Sequence, residues 1–429
     1  MRVGKGLMGT VHIIGAGMAG LSCAVHCAKA GQSVAIYEAA PHAGGRCRSF
    51  QDESMGCMID NGSHMLLGAN EATKIYLEEI GSRELVSEII PAKFAFLEPK
   101  TGIRWQIKPG SPYFPFWLFD PRRRVPGTNA INYLKGLRLA RAKADDTVGQ
   151  IIGRDDPLYK IFWQPICRAV LNTDADNASA RLLWKVIRLF FLKGEKACRP
   201  MNFEKGLSAT LVDPALEYLC AKNATIRYKA RIRDLGWKDN LLLEMRSLEG
   251  LHCFEKSDAV VLAVPPEICA GMWPDINAPV ETLPIINVHF RVAESVVLPG
   301  DLPFLGLIGT NSQWIFSRGK VLSITISAAS EDVDRPNWEL ANDLWSEMTD
   351  IFGYDMGRLP PWRVIKERRA TIAQTPEIVK KRPGPTTALH NLFIAGDWTD
   401  TGLPATIEGS IQSGFRAARL AIERTTMNY

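Results

Sequence analysis

The sequence lacks anything that predicts a disulfide framework. Its nine cysteines are odd in number and scattered, and none belongs to a C-x-x-C pair. Such usage is typical of a protein in a reducing compartment. Cys23, His26 and Cys27 could in principle hold a metal, but they fall within a predicted helix of small apolar residues. We interpret them as core side chains and expect no metal site.

Long apolar runs are also lacking. Residues 6–28 carry no charge, but their repeated glycines fit a dinucleotide-binding turn better than a signal peptide or a membrane span. No other segment offers the roughly twenty consecutive apolar residues that a membrane-spanning helix needs. A hydrophobic content of 46% and a mean hydropathy of −0.05 are typical of an ordered globular protein. A length of 429 residues suits two domains.

Acidic residues are scarce in one segment. Between Lys100 and Ala144 there are ten basic residues and a single acid, Asp120. Aromatic side chains are interleaved, and the run 112–119 lies beside the three arginines at 122–124. This combination suits the interface of an anionic membrane, although a solvated face beside an aromatic core is the alternative. Nucleic-acid binding is disfavoured, because no nucleic-acid-binding motif accompanies the segment.

Three glycines near the N-terminus, Gly15, Gly17 and Gly20, have the spacing of a dinucleotide-binding motif. The apolar run 11–14 predicts a buried parallel strand that leads into Gly15, where a tight turn is needed. Gly17 lets the backbone approach a pyrophosphate, and Gly20 lets the following helix pack closely on the strand. The surrounding strand–turn–helix order makes this pattern specific for a dinucleotide.

The continuation of the chain completes the dinucleotide motif. A helix predicted from Met18 to Ala30 directs its first N–H groups at the phosphates and ends before Gly31. A second strand at 33–37 delivers Glu38, whose carboxylate can accept hydrogen bonds from the ribose hydroxyls. These residues predict a Rossmann-type α/β fold.

Two more motifs distinguish FAD from NAD. Gly44-Gly45-Arg46 resembles the Gly-Gly-Arg signature of the flavoprotein superfamily that holds amine oxidases and phytoene desaturases. In that superfamily the arginine faces the cofactor phosphates. Near the C-terminus a buried strand ends in Gly396-Asp397, and a helix is predicted to start near Ala405. Such an Asp commonly binds the ribityl chain, and the helix N-terminus faces the pyrimidine carbonyl of the flavin.

The cofactor motifs also predict how the chain is divided. We expect an FAD-binding domain made of residues 1–70, 202–265 and 387–429, with further strands around 224–232, 241–245 and 259–263. Residues 71–201 and 266–386 would form an interleaved, discontinuous substrate and membrane-associated domain. Its bulky helical runs at 161–167 and 182–192 suggest a hydrophobic substrate, although ordinary core packing is the alternative for any one of these side chains.

Four other segments carry a closer resemblance. They are residues 60–68, 163–173, 206–216 and 402–409. They look like the corresponding parts of the hydroxysqualene dehydroxylases, the squalene-associated, FAD-dependent relatives of phytoene desaturases in bacterial hopanoid pathways. The resemblance covers nearly the whole chain. It implies reductive removal of the allylic hydroxyl of hydroxysqualene to give squalene, with hydride delivered from N5 of the reduced flavin.

The resemblance also implies the site. His64 is the candidate catalytic donor near the flavin, with Asp60 as its positioning partner or as a backbone anchor. A histidine that only supports the loop or the flavin is the alternative. The residues expected to bind FAD are Gly15, Gly17, Met18, Ala19, Gly20, Glu38, Ala39, Gly44, Gly45, Arg46, Gly62, Ser63, His64, Ile232, Gly396, Asp397, Pro404, Ala405 and Thr406.

Two other functions remain open from the sequence. A carotenoid desaturase would share every FAD motif. A flavin-free isoprenoid-escort protein would share the fold, although the intact Glu38, Arg46 and Asp397 argue against it. No second dinucleotide motif in this structural context is present, so we expect an external electron donor. We also expect a cytoplasmic protein that binds the inner face of the cell membrane and a hydrophobic isoprenoid substrate.

Overall fold

The computed structural model describes residues 9–110, 115–352 and 358–426. Within these ranges the strands, in chain order, are β1 (Thr10–Ile14), β2 (Ser33–Tyr37), β3 (Ser49–Asp52), β4 (Cys57–Asp60), β5 (Leu66–Leu67), β6 (Ser87–Glu88), β7 (Phe94–Glu98), β8 (Ile103–Ile107), β9 (Pro200–Asn202), β10 (Thr225–Arg227), β11 (Ile232–Lys238), β12 (Leu241–Ser247), β13 (Gly250–Cys253), β14 (Ala259–Leu262), β15 (Thr282–Arg291), β16 (Phe304–Leu307), β17 (Trp314–Arg318), β18 (Val321–Ser327), β19 (Trp362–Ile372) and β20 (Leu392–Ile394).

The α-helices of the same ranges are α1 (Met18–Lys29), α2 (Glu71–Glu79), α3 (Ala130–Leu134), α4 (Val148–Ile152), α5 (Gln164–Leu171), α6 (Ala180–Leu189), α7 (Glu195–Cys198), α8 (Asp213–Ala221), α9 (Pro266–Met272), α10 (Asn337–Phe352), α11 (Pro376–Lys380) and α12 (Ile407–Thr426). The predicted run 161–167 begins in a π-helical turn, Tyr159–Trp163, and continues as α5. The predicted run 182–192 is α6 followed by the short 3-10 turn Phe191–Lys193.

A five-stranded parallel sheet forms the first unit, in the order β10-β2-β1-β14-β20. All of its neighbouring strands run parallel. The strands are largely apolar, as expected for a parallel sheet whose two faces are covered by helices or by a second sheet. The strands come from the three chain segments that the sequence assigned to the dinucleotide-binding domain. The predicted Rossmann-type order of strand, helix and strand is confirmed.

Helices α1 and α12 cover one face of this sheet. They approach so closely that a Cβ added at Gly414 would lie 2.3 Å from the carbonyl oxygen of Ala19. Helix α2 joins the same core through Tyr76 and Leu77, which are fully buried. The first insertion was expected to begin at residue 71. The structure instead packs α2 on the dinucleotide-binding core, because its apolar face lies against α1 and α12.

The segment 224–232, expected to be one strand, is broken. Its first part is β10 of the parallel sheet, and its last residue begins β11 of a separate antiparallel sheet, β11-β12-β13. Between them the chain turns at Lys229, whose φ is +57°. The N–H groups of Lys229 and Ala230 donate to the carbonyl oxygens of Ala40 and Glu38. This docking onto the loop after β2 is what interrupts the strand.

A seven-stranded mixed sheet forms the second unit, in the order β19-β15-β18-β17-β16-β7-β8. Helix α10 packs on it, and its core includes Phe290 and Trp345. A helical unit containing α3 to α6 lies beside it around Phe162, Trp163 and Leu183. Strands β7 and β8 come from the first predicted insertion and the other five from the second, so the two insertions fold together.

A buried carboxylate joins β1 to β14 and provides a test of stability. Asp258 accepts hydrogen bonds from the N–H groups of Thr10, at 2.7 Å, and Glu255, at 2.8 Å. Its second oxygen lies 3.4 Å from Nε2 of His12. Burial alone would raise the pKa of Asp258, but His12 and the two N–H groups outweigh burial and lower it. The carboxylate is therefore stabilised in its charged form.

We expect Asp258→Asn to lower the free energy of unfolding by about 1.5–3 kcal/mol at pH 7, the usual contribution of hydrogen bonds to a charged group. Because the pKa of Asp258 is lower in the folded state, this stabilisation is complete above the unfolded pKa of about 3.9 and is lost as the pH falls through the folded value. Urea unfolding at pH 7 and at pH values below 4 measures the difference. A difference that does not shrink in acid would contradict this account.

Candidate active site

The glycine turn after β1 has the conformation that its sequence requires. The φ of Gly15 is +106°, and its N–H donates to the carbonyl oxygen of Tyr37 at 2.8 Å. A Cβ added at Gly20 would lie 1.9 Å from the carbonyl oxygen of Gly15. Gly20 therefore allows α1 to begin directly beneath the turn. Met18 and Ala19, both buried, form the first turn of that helix.

Gly17 differs from the other glycines of the turn. Its φ is −75°, which any residue can adopt, and a Cβ added there would meet no protein atom within 4 Å. Neither conformation nor packing within the protein explains a glycine at this position. A ligand that approaches the backbone closely, such as a pyrophosphate at the start of α1, does explain it. The turn therefore fits a dinucleotide.

The Gly-Gly-Arg loop lies directly on this turn. Gly44 forms a parallel bridge with Gly17, and its N–H donates to the carbonyl oxygen of Ala16 at 2.8 Å. The φ values of Gly44 and Gly45 are +97° and +56°, in the left-handed region that favours glycine. Two segments nearly thirty residues apart thus form one continuous backbone surface.

Glu38 lies at the end of β2, beside the turn. One carboxylate oxygen accepts the N–H of Ala16 and the other accepts the N–H of Ala40, both at 2.7 Å. Each carboxylate oxygen has further lone pairs, so both can also accept ribose hydroxyl groups. The neighbouring Ala39 is exposed, and the predicted contact Ile232 is buried at the start of β11.

The C-terminal motif meets the Gly-Gly-Arg loop through an ion pair. Nη2 of Arg46 lies 2.8 Å from Oδ1 of Asp397, although the residues are 351 positions apart. Arg46 also donates to the carbonyl oxygen of Ala370. The carboxylate of Asp397 raises the pKa of Arg46 and keeps its guanidinium charged. The two motifs therefore belong to one site.

Helix α12 begins two residues later than expected. It starts at Ile407, and the hydroxyl of Thr406 caps it by accepting the N–H of Gly409 at 3.2 Å. Pro404 and Ala405 are buried immediately before the helix. Gly396, at the end of the preceding strand, donates its N–H to the hydroxyl of Ser413. The second turn of α12 thus packs against the turn that carries Asp397.

The acid in the first turn of α12 faces away from this site. Glu408 is buried, and its carboxylate accepts the N–H groups of Ala72 and Thr73, both at 2.9 Å, and the hydroxyl of Thr73 at 2.7 Å. Burial raises the pKa of Glu408. Its contacts cap α2, so Glu408 has a structural role that the sequence did not reveal.

The loop with Gly62, Ser63 and His64 is attached to the seven-stranded sheet. The N–H of Ser63 donates to Oδ1 of Asn287 at 3.3 Å, and a Cβ added at Gly62 would lie 2.9 Å from Nδ2 of the same side chain. Asn287 lies on β15 and also accepts the hydroxyl of Thr325 at 2.8 Å. The loop therefore joins the two units of the protein.

His64 is exposed, yet surrounding protein affects its pKa. Its side chain is exposed, and it makes no hydrogen bond to any residue that the structure describes. Nevertheless, desolvation by surrounding protein lowers its pKa, Arg46 lowers it further, and Asp60 opposes them. The electrostatic influence of both Arg46 and Asp60 on its pKa indicates that His64 lies on the same side of the protein as these two residues.

Asp60 does not hydrogen-bond to His64. Its Oδ1 accepts the hydroxyl of Ser49 at 2.5 Å and the N–H of Leu207 at 3.1 Å, and its Oδ2 pairs with Arg318. Of the two predicted roles, the structure supports the backbone anchor. The role of positioning partner has no hydrogen bond in the described structure to support it.

Sequence reasoning missed Gln374, and it included Asn172 only within the family-like segment 163–173, without a role. Gln374 is fully buried, and its amide joins the carbonyl oxygen of Leu171 to the N–H of Ala405, at 2.8 and 3.0 Å. The Asn172 side chain donates to the carbonyl oxygen of Leu283 and accepts the N–H of Ala328. Their partners lie far away in the chain, so no local pattern could identify them.

Comparison with known proteins decides the family. Residues 18–422 match the family model described as flavin containing amine oxidoreductase. Hydroxysqualene dehydroxylase of Sinorhizobium fredii is 42% identical over 415 residues, which cover 97% of this chain and 99% of that protein. This chain belongs to the hydroxysqualene dehydroxylase family. It is a flavin-dependent oxidoreductase, and the predicted flavoprotein fold is confirmed.

Two further relatives are less similar in sequence to this member of the hydroxysqualene dehydroxylase family. The probable zeta-carotene desaturase of Synechococcus elongatus is 23% identical, with 96% of this chain and 98% of that protein covered. The solved structure of cyclohexylamine oxidase from Brevibacterium oxydans matches with a TM-score of 0.72 at 13% identity, covering 97% of this chain and 99% of that one. At so low an identity, the likeness shows the fold alone.

The basic segment that was expected to bind a membrane is only partly exposed. Residues 112–114 lie outside the described ranges. Phe116 and Phe119 are exposed, whereas Trp117 and Leu118 are buried. Arg123 donates to the carbonyl oxygens of Lys108 and Pro109.

Arg124 is likewise used inside the fold, where it donates to the carbonyl oxygens of Thr128 and Leu118. The side chain of Arg122 is 88% exposed but pairs with Asp120. Two of the three expected arginines therefore hold the segment itself. None of the helices in the described ranges combines the length and the apolar character that crossing a bilayer requires.

Proposed function

We propose that this enzyme uses FAD to remove the hydroxyl group of hydroxysqualene reductively, giving squalene. The observation that carries the proposal is the ion pair between Arg46 and Asp397, which joins the two predicted flavin motifs. The substrate follows from the 42% identity to a relative named for it. An external reductant would supply the electrons.

The chemistry needs a hydride for the allylic carbon and a proton for the departing oxygen. When bound and reduced, FAD would supply the hydride. Glu38 would hold its ribose, and the N–H groups at the start of α1 its pyrophosphate. The start of α12 would face the pyrimidine ring, where the helix dipole favours negative charge.

His64 would act on the leaving hydroxyl. The lowered pKa of His64 means that its ring is mostly neutral at pH 7. A neutral imidazole still carries one N–H, which can donate a hydrogen bond to the departing oxygen. The loop's attachment to Asn287 would keep His64 in place while the substrate binds. We therefore assign His64 as the hydrogen-bond donor to the hydroxyl group, and the proton that converts the departing hydroxide into water would come from solvent.

The substrate would lie along the helical unit. Several apolar side chains of this unit are half-buried although they pack against its core: Ile161, Ile166, Val170, Trp184 and Ile187. A long isoprenoid chain could cover this remaining apolar surface. The two insertions would then form the substrate domain, and the three segments around the parallel sheet would form the FAD-binding domain.

Reduction can be distinguished from desaturation by incubating the purified protein with hydroxysqualene and photoreduced FAD without oxygen. Squalene is the expected product. A desaturase would instead oxidise its isoprenoid substrate and would leave hydroxysqualene unchanged. An escort protein would bind the isoprenoid but would contain no flavin. A colourless protein that cannot be reconstituted with FAD would therefore contradict the proposal.

We also propose that the protein binds the inner face of the cell membrane, through a surface that the structure extends beyond the predicted run. We call this the docking surface. Its exposed large apolar side chains are Phe116, Phe119, Ile131, Leu134 and Leu137, exposed by 69, 62, 72, 44 and 51%. The exposed cations beside them are Arg122, Arg138, Arg141 and Lys143. Apolar and basic side chains together suit an anionic membrane interface.

The docking surface lies directly over the helical unit. Gly136 is buried next to the exposed Leu137, and a Cβ added there would lie 2.5 Å from the ring of Trp163. Only one layer of side chains therefore separates the exposed Leu137 from the core of the helical unit.

If the docking surface binds the membrane, two different double variants should bind anionic liposomes more weakly. Ile131→Ser with Leu137→Ser should weaken sedimentation with anionic liposomes at least tenfold, because each inserted side chain contributes roughly 1.5–3 kcal/mol. Arg138→Gln with Arg141→Gln should weaken it by a similar factor at low salt and less at high salt. Leu248→Ser, which removes a side chain 69% exposed outside the docking surface, is the control. Unchanged binding in both double variants would reject the docking surface.

A further inference from the structure

A buried arginine holds the turn between Asp397 and α12. Arg382 follows α11 and is 6% exposed. Its Nη1 donates to the carbonyl oxygen of Leu403 at 2.7 Å, and its Nη2 donates to that of Asp397 at 2.9 Å and to that of Thr399. One guanidinium thus binds three main-chain carbonyls of the same turn. Its buried Nε has no hydrogen-bond partner in the described structure.

The charge of Arg382 is not neutralised by a carboxylate contact. Arg46 is paired with Asp397, so that pair carries no net charge. Arg382 binds only carbonyl oxygens, although Asp400 and Asp397 interact with it electrostatically and Arg416 opposes them. Burial lowers its pKa, but an arginine remains charged at neutral pH. Asp400 in the same turn offsets part of this charge, but Asp400 is exposed and Arg416 also binds the turn, so three arginines (Arg46, Arg382, Arg416) face two carboxylates (Asp397, Asp400) next to the positive end of α12.

We propose that Arg382 is a positioning residue for the flavin, which fixes the turn from Asp397 to Leu403 and whose charge favours the reduced, anionic flavin over the oxidised one. The inference rests on the proposed function, because it assumes that the pyrimidine ring lies at the start of α12. A structural arginine would stabilise the fold without changing the relative affinity for the two redox states. The midpoint potential of the bound flavin separates these roles.

The test compares reconstituted FAD enzymes. Arg382→Gln should shift the two-electron midpoint potential of bound FAD by about 30 mV to more negative values, which corresponds to a tenfold loss of affinity for reduced relative to oxidised flavin. Arg382→Lys keeps the charge, so its potential should stay near that of the wild type while FAD binds more weakly. Equal potentials in the wild type and the Gln variant would overturn the inference.

Two further variants provide the control and the second test. Arg416 donates to the carbonyl oxygens of Asp400 and Thr401 from the outer side of the same turn. Arg416→Gln should therefore change the potential less than Arg382→Gln does. Should the Gln variant fail to fold, Asp400→Asn removes a carboxylate that opposes Arg382 and should move the potential toward positive values. No shift in Asp400→Asn would then overturn the inference.

Asp397→Ala distinguishes failure of the inference from failure of the site. If this variant binds FAD as tightly as the wild type, the flavin does not lie at this turn and the proposed site is wrong. If Asp397→Ala weakens FAD binding while Arg382→Gln leaves the potential unchanged, the site stands and only the role of Arg382 is rejected.

Discussion

Gly17→Ala protein is expected to fold with the stability of the wild type but to bind FAD about 5–150-fold more weakly. The backbone at Gly17 is compatible with alanine, and the added Cβ would meet no protein atom within 4 Å. The same Cβ would occupy the space into which we place the pyrophosphate. Overpacking of this kind costs about 1–3 kcal/mol, which is that range of dissociation constants.

The control for Gly17 is a second glycine with open space. Gly271 in α9 also has no protein atom within 4 Å of an added Cβ, and its φ is outside the left-handed region. Gly271→Ala should keep both stability and FAD affinity. The measurements are thermal unfolding of the FAD-free proteins and titration with FAD. Wild-type affinity in Gly17→Ala would remove the pyrophosphate from this turn.

His64→Ala is expected to slow the conversion of hydroxysqualene by about 10²–10⁴-fold, the usual contribution of a positioned acid or donor. The flavin content of this variant should fall much less than the rate, because His64 is expected to lie near the flavin but not to carry the phosphate or ribose contacts. His64→Asn keeps an N–H donor and should recover part of the rate. His390→Ala, which changes an exposed histidine at another place, is the control.

The pH dependence separates two forms of His64. Desolvation and Arg46 lower its pKa below the ordinary 6.5. If the neutral ring donates the hydrogen bond, the rate should be nearly constant from pH 7 to pH 8. If the imidazolium is required, the rate should rise as the pH falls below 6.5, and His64→Ala should lose that rise. A rate in His64→Ala close to that of the wild type would leave His64 with a supporting role in its loop.

Local sequence was sufficient to predict the helices and strands that depend on interactions between neighbouring residues. The strand predicted at 33–37 is β2, and the helix predicted from Met18 is α1, ending one residue before Ala30. Turn glycines and apolar periodicity specify these elements through neighbouring residues. The start of α12 was placed two residues too early, because Thr406 is the residue whose hydroxyl caps the helix.

Contacts between distant segments could not be predicted in this way. The Arg46–Asp397 ion pair follows from two motifs only once the sheet order brings them together. Gln374 and Arg382 belong to no recognised motif, and their partners are carbonyl and N–H groups that every residue carries. Arg124 looked like a free surface charge in the sequence, but its donors are used within its own segment. Amino-acid composition cannot distinguish an arginine that faces solvent from one whose donors are bound within the fold.

The central claim is that the enzyme reduces hydroxysqualene by transferring hydride from its flavin. A single turnover with reduced 5-deaza-FAD that carries two deuterium atoms at C5 tests it directly, because that position, unlike N5 of FAD, does not exchange with solvent. In ordinary buffer, squalene should carry one deuterium at the carbon that lost its hydroxyl. Squalene without deuterium, or hydroxysqualene left unconverted by enzyme with reduced FAD, would contradict the account.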